Sequence, residues 1–286
     1  MGIIGAGTMG NGIAQACAVS GLNVVMVDIN EAAVTKGLTT IASSLDRLIK
    51  KEKMTEAEKA SALARIKTST NYQDFTGSQM VIEAATENYD LKIKILKQLD
   101  GIVSKDTIIA SNTSSISITQ MAAEVSNPQR FIGMHFFNPV PMMKLVEIIR
   151  GLATEDATYQ AVEVLAKRMG KAPVMAQDWP GFVVNRILCP MINEAIQALM
   201  EGVGDVAAID AGMKLGANHP MGPLELADFV GLDTLYSVMK VLHEGLGDSK
   251  YRPSPLLAKY VEAGWYGRKS GRGFYDYSTT PPTPTR

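Results

Sequence analysis

Residues 1–28 read MGIIGAGTMGNGIAQACAVSGLNVVMVD, and this stretch decides the fold. Gly5, Gly7 and Gly10 make the spacing G-x-G-x-x-G directly after a short apolar strand, and the residues beyond them have a helical pattern. Each glycine has a mechanical task. Gly5 permits a tight turn, Gly7 lets a pyrophosphate approach the backbone, and Gly10 lets the helix pack close to the strand. Thr8 and Met9 share that loop, where the free N–H groups of the helix N-terminus would face phosphate. Gly21 is a suitable stop for the helix, and the apolar run Val24 to Val27 then ends in Asp28. An acidic side chain roughly 20 residues after the glycines is placed to accept a ribose 2′-hydroxyl and to repel a 2′-phosphate. The predicted cofactor is therefore NAD rather than NADP, held by Gly5, Gly7, Thr8, Met9, Gly10 and Asp28.

From this unit outward the chain alternates strand and helix patterns as far as residue 178, as a mostly parallel Rossmann-type α/β sheet covered on both faces requires. Strands are expected at 2–5, 23–28, 79–85, 107–111, 131–136, 145–150 and 172–177. A long charged helical excursion, 31–66, separates the second from the third and breaks near Met54, where Thr55 and Glu58 form a capping box. After Trp179-Pro180-Gly181 the pattern becomes all-helical. Helices are expected at 182–201, closed by Gly202, from Asp205 to before Gly216, from Pro223, and from Asp233. The expected organisation is a nucleotide-binding domain over 1–178 and a helical substrate and dimerisation domain over 184–286. Ile187, Leu188, Met191, Ile192, Ile196, Leu199 and Met200 make the first of these helices so apolar that one face is expected to be covered by a second copy of the chain. The Thr- and Pro-rich tail 278–286 is expected to be disordered.

The segment 131–150, FIGMHFFNPVPMMKLVEIIR, carries the chemistry. His135 is one of three histidines in the chain, and it lies twelve residues before Glu147 on two short apolar strands joined by a Pro-rich turn. Imidazole is a natural proton acceptor near neutral pH, and a carboxylate on its far nitrogen fixes the tautomer and stabilises the imidazolium. The plainer alternative is a core histidine satisfied by a backbone carbonyl. His219 reads as a turn residue and His243 as a surface residue.

With these motifs in hand, the chain resembles the L-3-hydroxyacyl-CoA dehydrogenase family, and most of all its short-chain bacterial branch, which acts on 3-hydroxybutyryl-CoA. The resemblance runs through GAGTMGNGIAQ, VIEAATEN, ASNTSS, GMHFFNPVPMMKLVEII, PGFVVNRIL, ANHPMGPLELAD and GRKSGRGFYDY, and spans all but the tail. It implies an NAD-dependent interconversion of (S)-3-hydroxyacyl-CoA and 3-oxoacyl-CoA, with His135 as base, Glu147 as its partner, and Ser114 and Asn185 contacting the substrate. It also implies that Glu87, Lys92 and Asn112 line the nicotinamide half of the cofactor site. Two readings compete with it. One is a related hydroxy-acid dehydrogenase of the gulonate dehydrogenase and lambda-crystallin type, and the other is a silent NAD-binding or lens-type structural protein. For Ser114 the alternative is a helix cap, since NTSSIS precedes a helical run.

Arg47, Lys50, Lys51 and Lys53 end the first excursion helix, and a basic cluster near the cleft mouth would suit the phosphates of coenzyme A. Lys50, Lys51 and Lys53 are the candidate contacts. Balanced by Asp46, Glu52, Glu56 and Glu58, the same run reads equally as a solvated face. The whole-chain charge of −1 offers no electrostatic case for nucleic acid or a membrane surface, and no apolar run is long enough to span a bilayer. Cys17 and Cys189 have no metal-ligand spacing and fit reduced thiols, so the expected setting is bacterial cytoplasm, or mitochondrial matrix after loss of a transit peptide.

Overall fold

A computed structural model describes residues 1–285, and the chain divides into two compact units, Met1–Trp179 and Pro180–Arg286. The first unit opens with β1 (Gly2–Ile4), α1 (Thr8–Val19), β2 (Val24–Val27), α2 (Glu31–Lys50), α3 (Glu56–Ala64) and β3 (Ile66–Ser69). It continues with β4 (Met80–Glu83), α4 (Tyr89–Asp100), β5 (Ile108–Ser111), α5 (Ile118–Ala122), β6 (Phe131–Phe136), β7 (Leu145–Arg150), α6 (Asp156–Arg168) and β8 (Ala172–Gln177). Their eight strands form one sheet in the order β3-β2-β1-β4-β5-β6-β7-β8. All neighbours are parallel except β6 and β7. The order reverses between β1 and β4, so the loops after these two strands diverge and leave a crevice, the usual ligand site of an open α/β sheet.

Local signals account for most of these elements. The strands β1, β4 and β5 are buried at every residue, as strands covered on both faces must be, and they are apolar up to the polar residues Glu83 and Ser111 that end β4 and β5. Thr55 accepts from the Glu58 N–H while the Glu58 carboxylate accepts from the Thr55 N–H at 2.7 Å, which is the predicted capping box of α3. The excursion nevertheless ends at Ala64, and β3, absent from the sequence reading, follows at once. Its residues Ile66, Lys67, Thr68 and Ser69 bury only the first. As an edge strand β3 needs a single apolar contact, so it lacks the run or alternation that marks a strand.

In the second unit, α7 (Val184–Met200), α8 (Val206–Gly216), α9 (Pro223–Val230), α10 (Leu232–Leu246) and α11 (Pro255–Glu262) enclose a core that includes Ile192, Ile196, Leu224, Leu235, Leu242, Leu257 and Phe274. Asp205 caps α8 by accepting from the Ala208 N–H at 2.7 Å, and Pro223 and Pro255 sit in the first turns of α9 and α11. The α10 helix starts one residue before Asp233, with Gly231 at φ +102 as its cap. Helix α11 has no counterpart among the expected helices.

The tail is a correction. Strands β9 (Tyr275–Asp276) and β10 (Thr283–Pro284) pair antiparallel, and the Thr285 hydroxyl donates to the carbonyls of Gly273 and Phe274 at 2.8 and 3.0 Å. These backbone groups, rather than an apolar pattern, order the expected disordered segment; Arg286 lies outside the described residues. Two buried carboxylates anchor the hairpin. Asp228 accepts from the N–H groups of Phe274 and Tyr275 and the Tyr277 hydroxyl, and Asp210 from the N–H groups of Leu224 and Glu225 and the Tyr275 hydroxyl. Among the described residues no helix is long and apolar enough to cross a membrane.

Candidate active site

The glycine loop is built as its spacing predicts. Gly5 lies at φ +97, and a Cβ there would come 2.7 Å from the Ala84 carbonyl, so the loop rests on the segment after β4. A Cβ on Gly10 would come 1.9 Å from the Gly5 carbonyl, which is the close approach of helix to loop. Gly7 differs, because a Cβ there would meet nothing within 4 Å. Gly7 is also the N-cap of α1, with no side chain capping the helix and no acidic residue in its first turn. The space that the fold leaves open at Gly7, beside uncapped N–H groups, is what a dinucleotide diphosphate needs.

Asp28 closes the other side of this crevice. Its Oδ2 accepts from the Ala6 N–H at 2.6 Å and its Oδ1 from the Ile29 N–H at 2.7 Å. It thus holds the loop while lone pairs on both oxygens remain for a ribose hydroxyl. A cavity of about 290 Å³ is lined here by Gly7, Thr8, Asn11, Asp28, Lys36 and Thr40 among others. Met9 lies within the first turn of α1, half-buried.

At the far end of the sheet, β6 and β7 lie antiparallel with His135 directly opposite Glu147. A twelve-residue hairpin with this register brings the two side chains to one face. His135 Nδ1 is 2.7 Å from Glu147 Oε2, with the His135 side chain 9% exposed and the carboxylate fully buried. The Phe137 ring lies 4.5 Å from the imidazole, centroid to centroid. The contact at Nδ1 fixes the orientation of the ring, with the carboxylate placed to offset charge on it.

Between these two ends sit the segments after β4 and β5. The Asn112 side-chain oxygen accepts from the Phe136 N–H at 2.9 Å and so ties β5 to the strand of His135. Ser114 does not cap α5; that cap is Ser117. Its N–H and hydroxyl instead reach Glu87 Oε1 at 2.8 and 2.9 Å. Lys92 is fully buried, 2.5 Å from Glu83 Oε2 and 3.8 Å from Glu87 Oε2, so it meets this region through carboxylates rather than by presenting surface to a ligand. Asn185 is the second residue of α7 in the other unit, half-buried.

Of the basic run, Arg47, Lys51 and Lys53 line a cavity of about 520 Å³ with Thr8, Asn11, Gln15 and residues 138–142. Lys50 is not in that lining. Two of the four carboxylates meant to balance the run are engaged elsewhere: Asp46 pairs with Lys59, and Glu58 is taken by the capping box. The loop wall of this cavity is held by Lys171, whose ammonium donates to the carbonyls of Val140 and Met143 and whose burial pushes its pKa down.

Three further residues have no local signal. Asp178, just past β8, caps α5 by accepting from the N–H groups of Ile118 and Thr119 and the Ser117 hydroxyl. Lys171 and Glu83 likewise act on partners far along the chain or on other strands. Cys17 and Cys189 are free and buried, and burial pushes each thiol up to about 12, which leaves both unreactive. Among the described residues no His, Cys, Asp and Glu group could hold a metal ion.

A family model described as the 3-hydroxyacyl-CoA dehydrogenase NAD binding domain matches residues 1–179, and the C-terminal domain model of the same family matches residues 181–277. A 3-hydroxybutyryl-CoA dehydrogenase of Bradyrhizobium diazoefficiens is 56% identical over 286 residues, covering 100% of this chain and 98% of the relative. A probable 3-hydroxybutyryl-CoA dehydrogenase of Bacillus subtilis is 57% identical, covering 96% of each. Among solved structures, (S)-3-hydroxybutyryl-CoA dehydrogenase from Ralstonia eutropha superposes with a TM-score of 0.96 at 68% identity, over 97% of this chain and 98% of that one.

Proposed function

Because the chain belongs to the 3-hydroxyacyl-CoA dehydrogenase family and is an NAD-dependent dehydrogenase, we propose that it interconverts (S)-3-hydroxybutyryl-CoA and acetoacetyl-CoA. The observation that carries the chemistry is the His135–Glu147 pair, 2.7 Å apart on directly opposed residues of a buried hairpin. Held by the glycine loop and Asp28, NAD would supply the hydride acceptor for the alcohol carbon, and NADH the hydride donor in the reverse direction. His135 Nε2 takes the hydroxyl proton in oxidation and returns it to the developing alkoxide in reduction. Glu147 holds the ring through Nδ1 and offsets the imidazolium charge, an effect strengthened by burial. Ser114 and Asn185 are the proposed hydrogen-bond partners of the substrate oxygens. The residues at the loop fit the dinucleotide: open space at Gly7 for the diphosphate and Asp28 for the ribose.

In this reading Lys51 and Lys53, joined by Arg47, hold the phosphates of coenzyme A, and Lys50 contributes only long-range charge. Two copies of the chain pair through the helical unit. Ile187 and Met200 remain exposed on α7, and Val203 beyond it is 77% exposed beside an apolar groove lined by Met191, Ala195, Ile209 and Met213. The reduced thiols suit a cytoplasmic setting.

Loss of NADH absorbance on addition of acetoacetyl-CoA tests the proposal. Turnover is expected with NADH in preference to NADPH. An N-acetylcysteamine thioester, which lacks the phosphates, should show a Michaelis constant raised about ten-fold or more, the value of one good charge-assisted contact. No oxidation of NADH with either thioester overturns the assignment.

A further inference from the structure

Glu83 ends β4 with a fully buried carboxylate, and nothing in the catalytic reading uses it. Its Oε1 accepts from the Ala85 N–H at 2.9 Å, and its Oε2 takes the Lys92 ammonium at 2.5 Å and the Ser111 hydroxyl at 2.7 Å. Lys92 also donates to the Ser111 hydroxyl at 3.3 Å. Both charges are fully desolvated. A buried ion pair can often be replaced by apolar side chains without loss of stability, so stability alone is a weak reason for one at the ligand-binding edge of the sheet.

The pair has an outlet. On its other side Lys92 lies 3.8 Å from Glu87 Oε2, and Glu87 is the half-exposed carboxylate around which the segment after β5 is wrapped. The Thr113 hydroxyl at 2.8 Å, the Ser114 N–H at 2.8 Å and the Ser115 N–H at 3.1 Å all point at Glu87 Oε1, as do the hydroxyls of Ser114 and Ser115. A carboxylate collecting this many donors dictates the conformation of the segment that supplies them. Its other oxygen, Oε2, faces one buried cation, and that cation is paired with Glu83. Without Lys92, Glu87 would face the carboxylate of Glu83 with no countercharge between them.

We infer that Glu83 is a positioning residue for the dehydrogenase reaction, acting through Lys92 and Glu87 to fix the Thr113–Ser115 segment and with it the Ser114 hydroxyl. The inference rests on the substrate contact proposed above for Ser114. Register between β4 and β5 adds to it, because Glu83 is directly opposite Ser111. One carboxylate thereby joins the end of β5, through Ser111, to the loop that follows it, through Glu87.

The test compares Lys92→Met, the double variant Glu83→Gln with Lys92→Met, and Glu87→Ala, which leaves the buried pair intact. Lys92→Met alone strands a buried carboxylate and should lower the melting temperature. The double variant carries no buried charge and should regain most of that loss. Its kcat for acetoacetyl-CoA should stay lowered by about 10- to 10²-fold, the range for a misplaced positioning group, and Glu87→Ala should reproduce that loss. Amide hydrogen exchange at Ser114 and Ser115 should speed up ~10-fold in both variants, with the β5 amides unchanged. Recovery of wild-type kcat by the double variant overturns the inference and makes the pair purely structural. So does a lowered kcat with unaltered exchange at Ser114 and Ser115. If the wild-type protein fails to reduce acetoacetyl-CoA, the proposed substrate falls, and the exchange rates alone then decide whether Glu83 holds the segment.

Discussion

At the scale of single residues, the proposed reaction depends on how the His135 imidazole is held. Glu147 occupies Nδ1 of His135 at 2.7 Å inside a nearly closed environment. Replacing His135 by Asn keeps a polar side chain of smaller volume, so the fold and NADH binding should persist. Turnover should drop by at least about 10²-fold, the usual effect of removing a general base. Steady-state kinetics beside NADH fluorescence titration separate the two effects, and near wild-type turnover would sink the mechanism. Glu147→Gln should act through the same ring. With its carboxylate partner gone, the ring loses the group that fixes its tautomer and offsets its charge, so turnover should fall while NADH binding persists. Wild-type turnover would count against the pairing. Asp28 and Asn112 show a second pattern, in which one side chain braces the backbone: Asp28 grips the glycine loop and Asn112 the strand of His135.

At the scale of elements, the glycine loop separates fold from binding within five residues. A Cβ on Gly10 would strike the Gly5 carbonyl at 1.9 Å, whereas one on Gly7 meets nothing. Gly7 also has φ −65 and ψ −171, a conformation open to alanine. Gly10→Ala should therefore lower the melting temperature by several degrees through the α1 contact, at about 1–3 kcal/mol for overpacking. Gly7→Ala should leave melting unchanged and weaken NADH binding, measured by fluorescence; the opposite pattern would refute the division of labour. The C-terminal hairpin makes a pH prediction. Burial pushes the Asp228 carboxyl up to about 6, against the pull of its three donors and with the help of Asp210. A carboxyl with a raised folded-state pKa binds its proton more tightly in the folded protein, so its stabilisation is greatest at low pH and is lost as pH rises towards about 6. The melting temperature of Asp228→Asn relative to wild type should therefore climb between pH 4 and pH 6.5 and level off above. A flat difference across that window would show that Asp228 does not titrate there.

At the scale of the whole molecule, the helical unit buries Ile192, Ile196 and Leu199 of α7 in its own core while Ile187, Met200 and Val203 stay exposed. This apolar excess outside a completed core is the ground for the proposed pairing of two copies. Light scattering at micromolar concentration should give the mass of a dimer. A monomer under those conditions would remove the pairing from the proposed function and leave the chemistry untouched.

Much of this protein was legible in its sequence because the decisive contacts are local or periodic. The G-x-G-x-x-G loop, the apolar strand that ends in Asp28, the Thr55–Glu58 capping box and the switch to helices after Gly181 each depend on residues near one another along the chain. A mostly parallel sheet followed by helices could be read from these alone. Other features rest on contacts that spacing does not record. Strand β3 exists because β2 offers an edge, and the tail is ordered because Gly273 and Phe274 offer carbonyls. Lys92 is enclosed by Glu83, Ser111 and Glu87, on segments up to 28 residues apart. Local sequence dictates which backbone forms, since propensity and capping act within a few residues. Which buried charge finds which partner is decided only when the strands assemble, because desolvation penalises every arrangement that leaves one unpaired.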